Sequence, residues 1–296
     1  MKEQSLLLKK SLTGWNNKYN IMHRKRLVEQ IREKSSYLCI GLDTDESKIP
    51  KHLRSSSKAI FEFNKQIIDT TKDLCVSYKI NTAFYEAMGT RGWDAMEQTV
   101  NYIPSTHFKI ADAKRGDIGN TSSQYAKAFF ETMRFDAITV APYMGVDSIM
   151  PFLEYEDKWT IVLALTSNKG AADFEMQKMA NKNNTDEEHL YEKVISTISK
   201  LGTTGNLMFV TGATLAGQME NIRKLIPDHF LLVPGVGFQG GSLHDVSTNG
   251  MNKDVGLLVN ISRAIIYAGD DENFAEEARS IAMQYQAEME ELINTE

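Results

Sequence analysis

Short runs of apolar and β-branched residues alternate along this chain with longer stretches whose apolar positions recur every three or four residues. The runs at 37–42, 75–80, 107–111, 137–140, 160–165, 207–210, 230–233 and 256–260 have the length and composition of buried strands. Between them the spacing is helical: Ile60, Phe63, Ile67 and Leu74 after the first run, Trp93, Met96 and Val100 after the second, Tyr125, Phe129 and Met133 after the third. Leu215, Met219, Ile222 and Ile226 repeat the pattern, as do Phe274, Ala278, Ile281, Tyr285 and Leu292. One more helix is predicted over 24–34, ahead of the first strand. Regular strand–helix alternation implies parallel pairing through right-handed crossovers, which sets the α/β class. A single-domain (β/α)8 TIM barrel fits eight such units better than an open doubly wound sheet, because no Gly-x-Gly-x-x-Gly turn follows the first strand.

The rhythm breaks once, between Leu165 and Leu207, where a polar run occupies 181–189. Thr185-Asp186-Glu187-Glu188 has the form of a capping box ahead of Leu190, Tyr191, Val194, Ile198 and Leu201. The expectation is a loop insertion followed by a helix, with the insertion a solvated surface elaboration rather than a lid. At the other end, 1–21 is polar and mixed. Either it is an N-terminal extension to a barrel domain spanning 22–296, or Met22 is the true start.

Composition narrows the class without fixing the activity. A hydrophobic content of 42% and a charged content of 24% leave room for a large core. The net charge of −6 argues against nucleic-acid binding as the main activity, while allowing a local basic pocket. No stretch approaches the roughly 18 apolar residues of a membrane span, so no membrane partner is expected and the location is predicted to be cytoplasmic. Cys39 and Cys75 both sit in apolar runs and read as buried free thiols in a reducing compartment.

The chemistry concentrates at strand ends. In Lys109-Ile110-Ala111-Asp112-Ala113-Lys114-Arg115-Gly116-Asp117-Ile118-Gly119-Asn120-Thr121, two acids and a lysine fall within six positions. Strand alternation puts Asp112 and Lys114 on one face, with Asp117 beyond in the loop. An ammonium between carboxylates stays protonated and serves as an acid. A strand-end salt bridge would leave the same Asp-x-Lys, but Asp43 at the first strand's end and Lys79 in the second converge on the same rim, where such barrels hold their active sites. After the seventh strand, Val233-Pro234-Gly235-Val236-Gly237-Phe238-Gln239-Gly240-Gly241 carries four glycines whose amides are expected to approach an anion. Arg263, just past the eighth strand, adds a guanidinium suited to phosphate, with Gln239 a neutral donor. Thr166-Ser167-Asn168 after the fifth strand offers hydroxyls and amides for the edge of a heterocycle. The six histidines show no metal-ligand spacing, so no metal is expected.

These residues resemble the orotidine 5′-phosphate decarboxylase family, and its longer bacterial subfamily in particular, from Met22 to the C-terminus. The resemblance rests on Asp112 to Thr121, on Cys39-Ile40-Gly41-Leu42-Asp43-Thr44-Asp45 and on Val233 to Gly237. It implies a carboxy-lyase of pyrimidine biosynthesis that converts orotidine 5′-phosphate to UMP and CO2 without a metal or organic cofactor. By the same resemblance, Lys114 is the proton donor to C6 of the pyrimidine, and Asp112 lies beside the leaving CO2. Asp43 and Lys79 meet the ribose hydroxyls and complete the charged network. Ser167 contacts the pyrimidine, while Pro234, Gln239, Gly240 and Arg263 hold the loop and the phosphate. Asp117 and Thr121 cross into the neighbour's site, which implies a homodimer. Ser262 departs from the glycine that many relatives carry there.

Two rivals accompany that reading. A magnesium-dependent sugar-phosphate lyase or aldolase on the same barrel shares the Asp-x-Lys-x-x-Asp pattern, but carries an acid where this chain has Lys79. A noncatalytic nucleotide-phosphate-binding barrel has no reason to retain costly clustered charges.

Overall fold

Long parallel pairing dictates burial on both strand faces, and the core strands of this chain are accordingly apolar almost throughout. The computed structural model describes residues 22–180, 187–237 and 239–295. Its barrel strands are β1 (Leu38–Gly41), β2 (Ser77–Asn81), β3 (Phe108–Arg115), β4 (Ala137–Val140) and β5 (Trp159–Leu165). A two-stranded antiparallel ribbon, β6 (Lys178–Ala180) and β7 (Glu187–His189), interrupts the series before β8 (Leu207–Thr211), β9 (Phe230–Pro234) and β10 (Leu257–Ile261). Strands β1 to β5 and β8 to β10 close in the order β1-β10-β9-β8-β5-β4-β3-β2, with parallel pairs throughout. The expected single-domain (β/α)8 barrel is the fold, and the helix predicted over 24–34 is present as Arg24–Lys34. Residues 1–21 lie outside the described residues.

Three sequence expectations need correction. The third strand does not stop at Ala111 but runs to Arg115 through a register shift against β4. The helix Leu190–Ile198 is capped by His189 and Glu192, whose carboxylate accepts the His189 N–H at 2.8 Å. Of the proposed capping box, Glu187 and Glu188 are ribbon residues, while Thr185 and Asp186 lie outside the described residues. Gly256 precedes its strand at φ +66°, a turn geometry and not an extended one.

The N-terminal end of the barrel is plugged. Fully buried Trp159 donates its indole N–H to the Met22 carbonyl at 2.9 Å and meets Phe108 and Phe230 edge-on. The Arg24 guanidinium lies over Phe230 and pairs with Asp254 at 2.9 Å. Cys39 and Cys75 are buried free thiols, and burial pushes the Cys39 thiol up to about 12, so neither is set up as a nucleophile.

At the opposite end, a buried polar network fixes the turn that follows β1. Thr44 Oγ1 donates to Asn64 Oδ1 at 2.6 Å, and Asn64 Nδ2 donates to Tyr85 Oη and Thr99 Oγ1 at 2.8 and 3.0 Å. Tyr85 Oη in turn donates to the Leu42 carbonyl at 3.0 Å. All four side chains are fully buried. Tyr267 completes the clamp by donating to the Asp43 carbonyl and accepting from Asp45 N–H. Replacing Asn64 by Ala leaves the buried Thr44 hydroxyl without its acceptor and removes a donor from Tyr85 and Thr99, and is expected to cost about 1–3 kcal/mol of stability. Denaturant unfolding measures it, and an unchanged midpoint at unchanged slope would contradict the network's role.

Candidate active site

The turn after β1, the middle of β2 and the end of β3 bring four charges into a line of alternating sign. Register does this: Gly41 of β1 pairs with Lys79, which pairs across β3 with Ile110, so that Asp43 and Asp112 flank Lys79. Lys79 Nζ lies 2.8 Å from Asp112 Oδ2 and 3.6 Å from Asp43 Oδ1, with its residue only 3% exposed. The other Asp112 oxygen bonds the Lys114 ammonium, which is half-exposed. The lysine held between two carboxylates of one chain is therefore Lys79. The expectation that Asp117 flanks Lys114 does not hold within the chain, since Asp117 Oδ1 accepts the Ile118 N–H at 2.7 Å and lies outside the cavity.

A kink in β3 aims Lys114. Its φ of +47° lies in the left-handed region, which a lysine rarely occupies, at the register shift between Ala111 and Arg115. Thr139, buried in β4, holds both sides of the kink: its Oγ1 accepts from Lys114 N–H at 2.9 Å and donates to Asp112 Oδ1 at 3.2 Å. Arg115 turns away to pair with Glu86 and to lie over Tyr125 and Phe129.

Burial alone would disfavour the two charges at the centre of the row. It opposes the Asp112 carboxylate, but Lys79 and Lys114 outweigh it and hold the group well below the usual carboxylate range. Burial likewise opposes the Lys79 ammonium, and Asp112 and Asp43 more than offset it, raising the lysine above its ordinary value. Asp43 Oδ1 is buried without a hydrogen-bond partner among the described residues, 3.6 Å from Lys79 being too long for one. Such an oxygen at a cavity wall is ready for a ligand donor.

The cavity above this row has a volume of about 280 Å³. Asp43, Lys79, Asp112, Lys114, Ser167, Pro234, Gln239 and Arg263 all line it, as do Asn81, Thr139 and Asn260. Asp117, Thr121 and Gly240 do not. Thr139 and Asn81 escaped the sequence reading. A hydroxyl inside the apolar run Ala137 to Val140 was the available signal for Thr139.

The glycine loop differs from expectation. The N–H groups of Gly237, Gly240 and Gly241 donate to Gly241, Gly237 and Gly235 carbonyls within the loop, so these amides are not aimed at an anion. Gly235, Gly237 and Gly240 all have positive φ, which is what the tight turn requires. Gln239 reaches back across the cavity mouth, its Oε1 accepting from Ser167 Oγ at 2.7 Å. At the foot of the cavity Ser262 packs against Gly41, donating to its carbonyl at 3.0 Å, and a Cβ at position 41 would lie 2.6 Å from that of Ser262. Among the described residues no group of three or more His, Cys, Asp or Glu side chains is placed to hold a metal ion, and no helix is long and apolar enough to cross a membrane.

Residues 36–278 match the profile of a family described as orotidine 5′-phosphate decarboxylase / HUMPS. The chain belongs to the orotidine 5′-phosphate decarboxylase / HUMPS family. Among its curated relatives, the orotidine 5′-phosphate decarboxylase of Flavobacterium johnsoniae is 56% identical over 93% of this chain and 99% of the relative. The enzyme of that name from Bacteroides fragilis strain YCH46 is 54% identical over 91% of this chain and 98% of the relative. The solved structure of a putative orotidine-monophosphate-decarboxylase from Toxoplasma gondii superimposes with a TM-score of 0.78 at 31% identity, covering 90% of this chain and 99% of that one.

The electrostatics of this family member make a pH prediction. A folded pKa below the unfolded value adds stability that is fully present above the unfolded value, about 3.9 for aspartate, and is lost as pH falls through it toward the folded one. Wild-type protein should therefore lose stability steeply below about pH 4, and Asp112→Asn should lose less over the same window. Parallel stability–pH curves for the two proteins would show that Asp112 is not held ionised by its lysines.

Proposed function

We propose that this chain is an orotidine 5′-phosphate decarboxylase, releasing CO2 from C6 of the substrate pyrimidine to leave UMP. The observation that carries the reading is the row Asp43, Lys79, Asp112, Lys114 at the cavity floor. Loss of CO2 leaves the C6–carboxyl electron pair on C6, with no adjacent group to delocalise it. An ammonium fixed beside that carbon stabilises the charge electrostatically and then transfers its proton, forming the C6–H bond. Lys114 is that acid; a solvent proton restores it after each turnover. Asp112 orients the ammonium and faces the departing carboxylate. Asp43, whose Oδ1 accepts no hydrogen bond among the described residues, and Lys79 take the ribose hydroxyls.

The remaining wall fits the rest of the nucleotide. Arg263 and Gln239 engage the phosphate, Ser167 the pyrimidine edge, and Pro234 supplies apolar wall. Because Gly237, Gly240 and Gly241 spend their amides inside the loop, the phosphate relies on the guanidinium and the Gln239 amide. Phosphate binding remote from C6 draws the loop over the site, and exclusion of water strengthens every charge interaction inside. The buried ammonium of Lys79 stands where the sugar-phosphate lyases need an acid for magnesium, which supports decarboxylation over that rival.

Asp117 and Thr121 act in the site of a second copy. Support comes from their placement outside their own cavity and from the apolar residues around them: Ile118 is 60% exposed, Tyr143 90% and Met144 48%. Ser122 Oγ bonds the Asp117 and Ser148 carbonyls, tying the helix Gly119–Lys127 that carries Thr121 to the helix Val146–Leu153 that follows Tyr143 and Met144. An apolar surface next to functional side chains marks an interface.

Purified protein should convert orotidine 5′-phosphate to UMP in EDTA, followed by the fall in substrate absorbance. Lys114→Ala should lose at least about a hundredfold in kcat, the scale of a general acid. Full activity in that variant would remove Lys114 from the proton-donor role. For the shared site, inactive Lys114→Ala and Asp117→Ala proteins, unfolded together and refolded, should regain about one quarter of wild-type activity, since each mixed dimer holds one intact site. No recovery in demonstrably mixed dimers would mean that each chain uses its own Asp117.

A further inference from the structure

The segment inserted between β5 and β8 holds more than surface. Glu175 lies within it, and its carboxylate turns inward to the loop that follows β5. Oε2 accepts from the Thr166 N–H at 2.7 Å, and both carboxylate oxygens lie within 3.0 Å of the Thr166 hydroxyl. The insertion is itself anchored to the succeeding helix, with Tyr191 N–H donating to the Glu175 carbonyl and Leu190 N–H to that of Gln177. A charge-assisted bond to a backbone N–H is a strong positional restraint, because it fixes the main chain and not merely a rotamer.

The residue so restrained precedes Ser167, which is pinned on its other sides as well. Thr214 Oγ1 donates to the Ser167 carbonyl at 3.2 Å. Gly212 approaches so closely that a Cβ there would stand 2.6 Å from both Ser167 N and Cα. Ser167 Oγ then reaches Gln239 Oε1, the tip of the glycine loop, at 2.7 Å. Glu175, Thr166, Ser167 and Gln239 thus form one continuous path from the insertion to the cavity mouth.

We infer that Glu175 is a positioning residue for the reaction: it sets the main chain at Thr166 so that Ser167 meets both the pyrimidine and Gln239. This makes Glu175, within the insertion, a support of the substrate site. The inference rests on the reading of Ser167 given above, and its test keeps the two apart.

The experiment is a double-mutant cycle on kcat/KM for orotidine 5′-phosphate, with Glu175→Ala, Ser167→Ala and both together, and with thermal unfolding of each as a check on folding. Glu175→Ala and Ser167→Ala are each expected to lower kcat/KM by about tenfold or more, and the double variant to lose no more than the worse single one. Glu175→Gln, which keeps an acceptor for the Thr166 N–H, should recover most of the loss, and it serves as the test variant if the alanine protein does not fold. Losses that multiply in the double variant would overturn the inference, because Glu175 would then act independently of Ser167. An unaffected Glu175→Ala beside an impaired Ser167→Ala would overturn the inference alone. A fully active Ser167→Ala would overturn the reading of Ser167 and the inference with it.

Discussion

The buried pairing of Lys79 with Asp112 is the constraint on which the site depends. Two carboxylates and an ammonium at the end of a barrel are each costly to desolvate, and removing any one leaves the others uncompensated. Their register across β1, β2 and β3 makes them mutually sustaining, and the same register leaves Lys114 as the half-exposed end of the row. One lysine is locked, and the next is presented to the cavity. That division separates an electrostatic scaffold from a proton donor on neighbouring strands.

The scaffold is supported by uncharged hydrogen-bonding groups around it. Thr44, Asn64, Tyr85 and Thr99 hold the turn bearing Asp43, while Thr139 holds the kink bearing Lys114. A backbone strained into the left-handed region persists because β4 and Asp112 both grip it. The plugged N-terminal end contributes by closing the barrel around Trp159, so the polar groups gather at the opposite rim.

Much of this was legible from the chain. Parallel strands buried on both faces leave a strong apolar signature, so the eight barrel strands could be read although the β6–β7 ribbon could not, and Asp43, Lys79, Asp112, Lys114, Ser167, Gln239 and Arg263 could be placed at one rim. What escaped was decided by contacts distant in sequence. Alternation along a strand correctly paired Asp112 with Lys114, but the kink that aims the lysine comes from Thr139, 25 residues onward. Which lysine lies between two acids of one chain depends on register among three strands, and local spacing did not show that it is Lys79. The glycine loop was read by composition as an amide cradle, whereas its Gly237, Gly240 and Gly241 amides close on the loop itself. Glu175 lay in the insertion, which was expected to be a solvated surface elaboration; only its contact with Thr166 distinguishes it.

The most direct test of this account is a crystal structure of the protein with UMP bound. The account predicts pyrimidine C6 within about 3–3.5 Å of Lys114 Nζ, ribose hydroxyls on Asp43 and Lys79, phosphate on Arg263, and Asp117 of a second copy reaching the same nucleotide. A nucleotide bound with its base remote from Lys114, or with its phosphate among Asp43, Lys79 and Asp112, would contradict it.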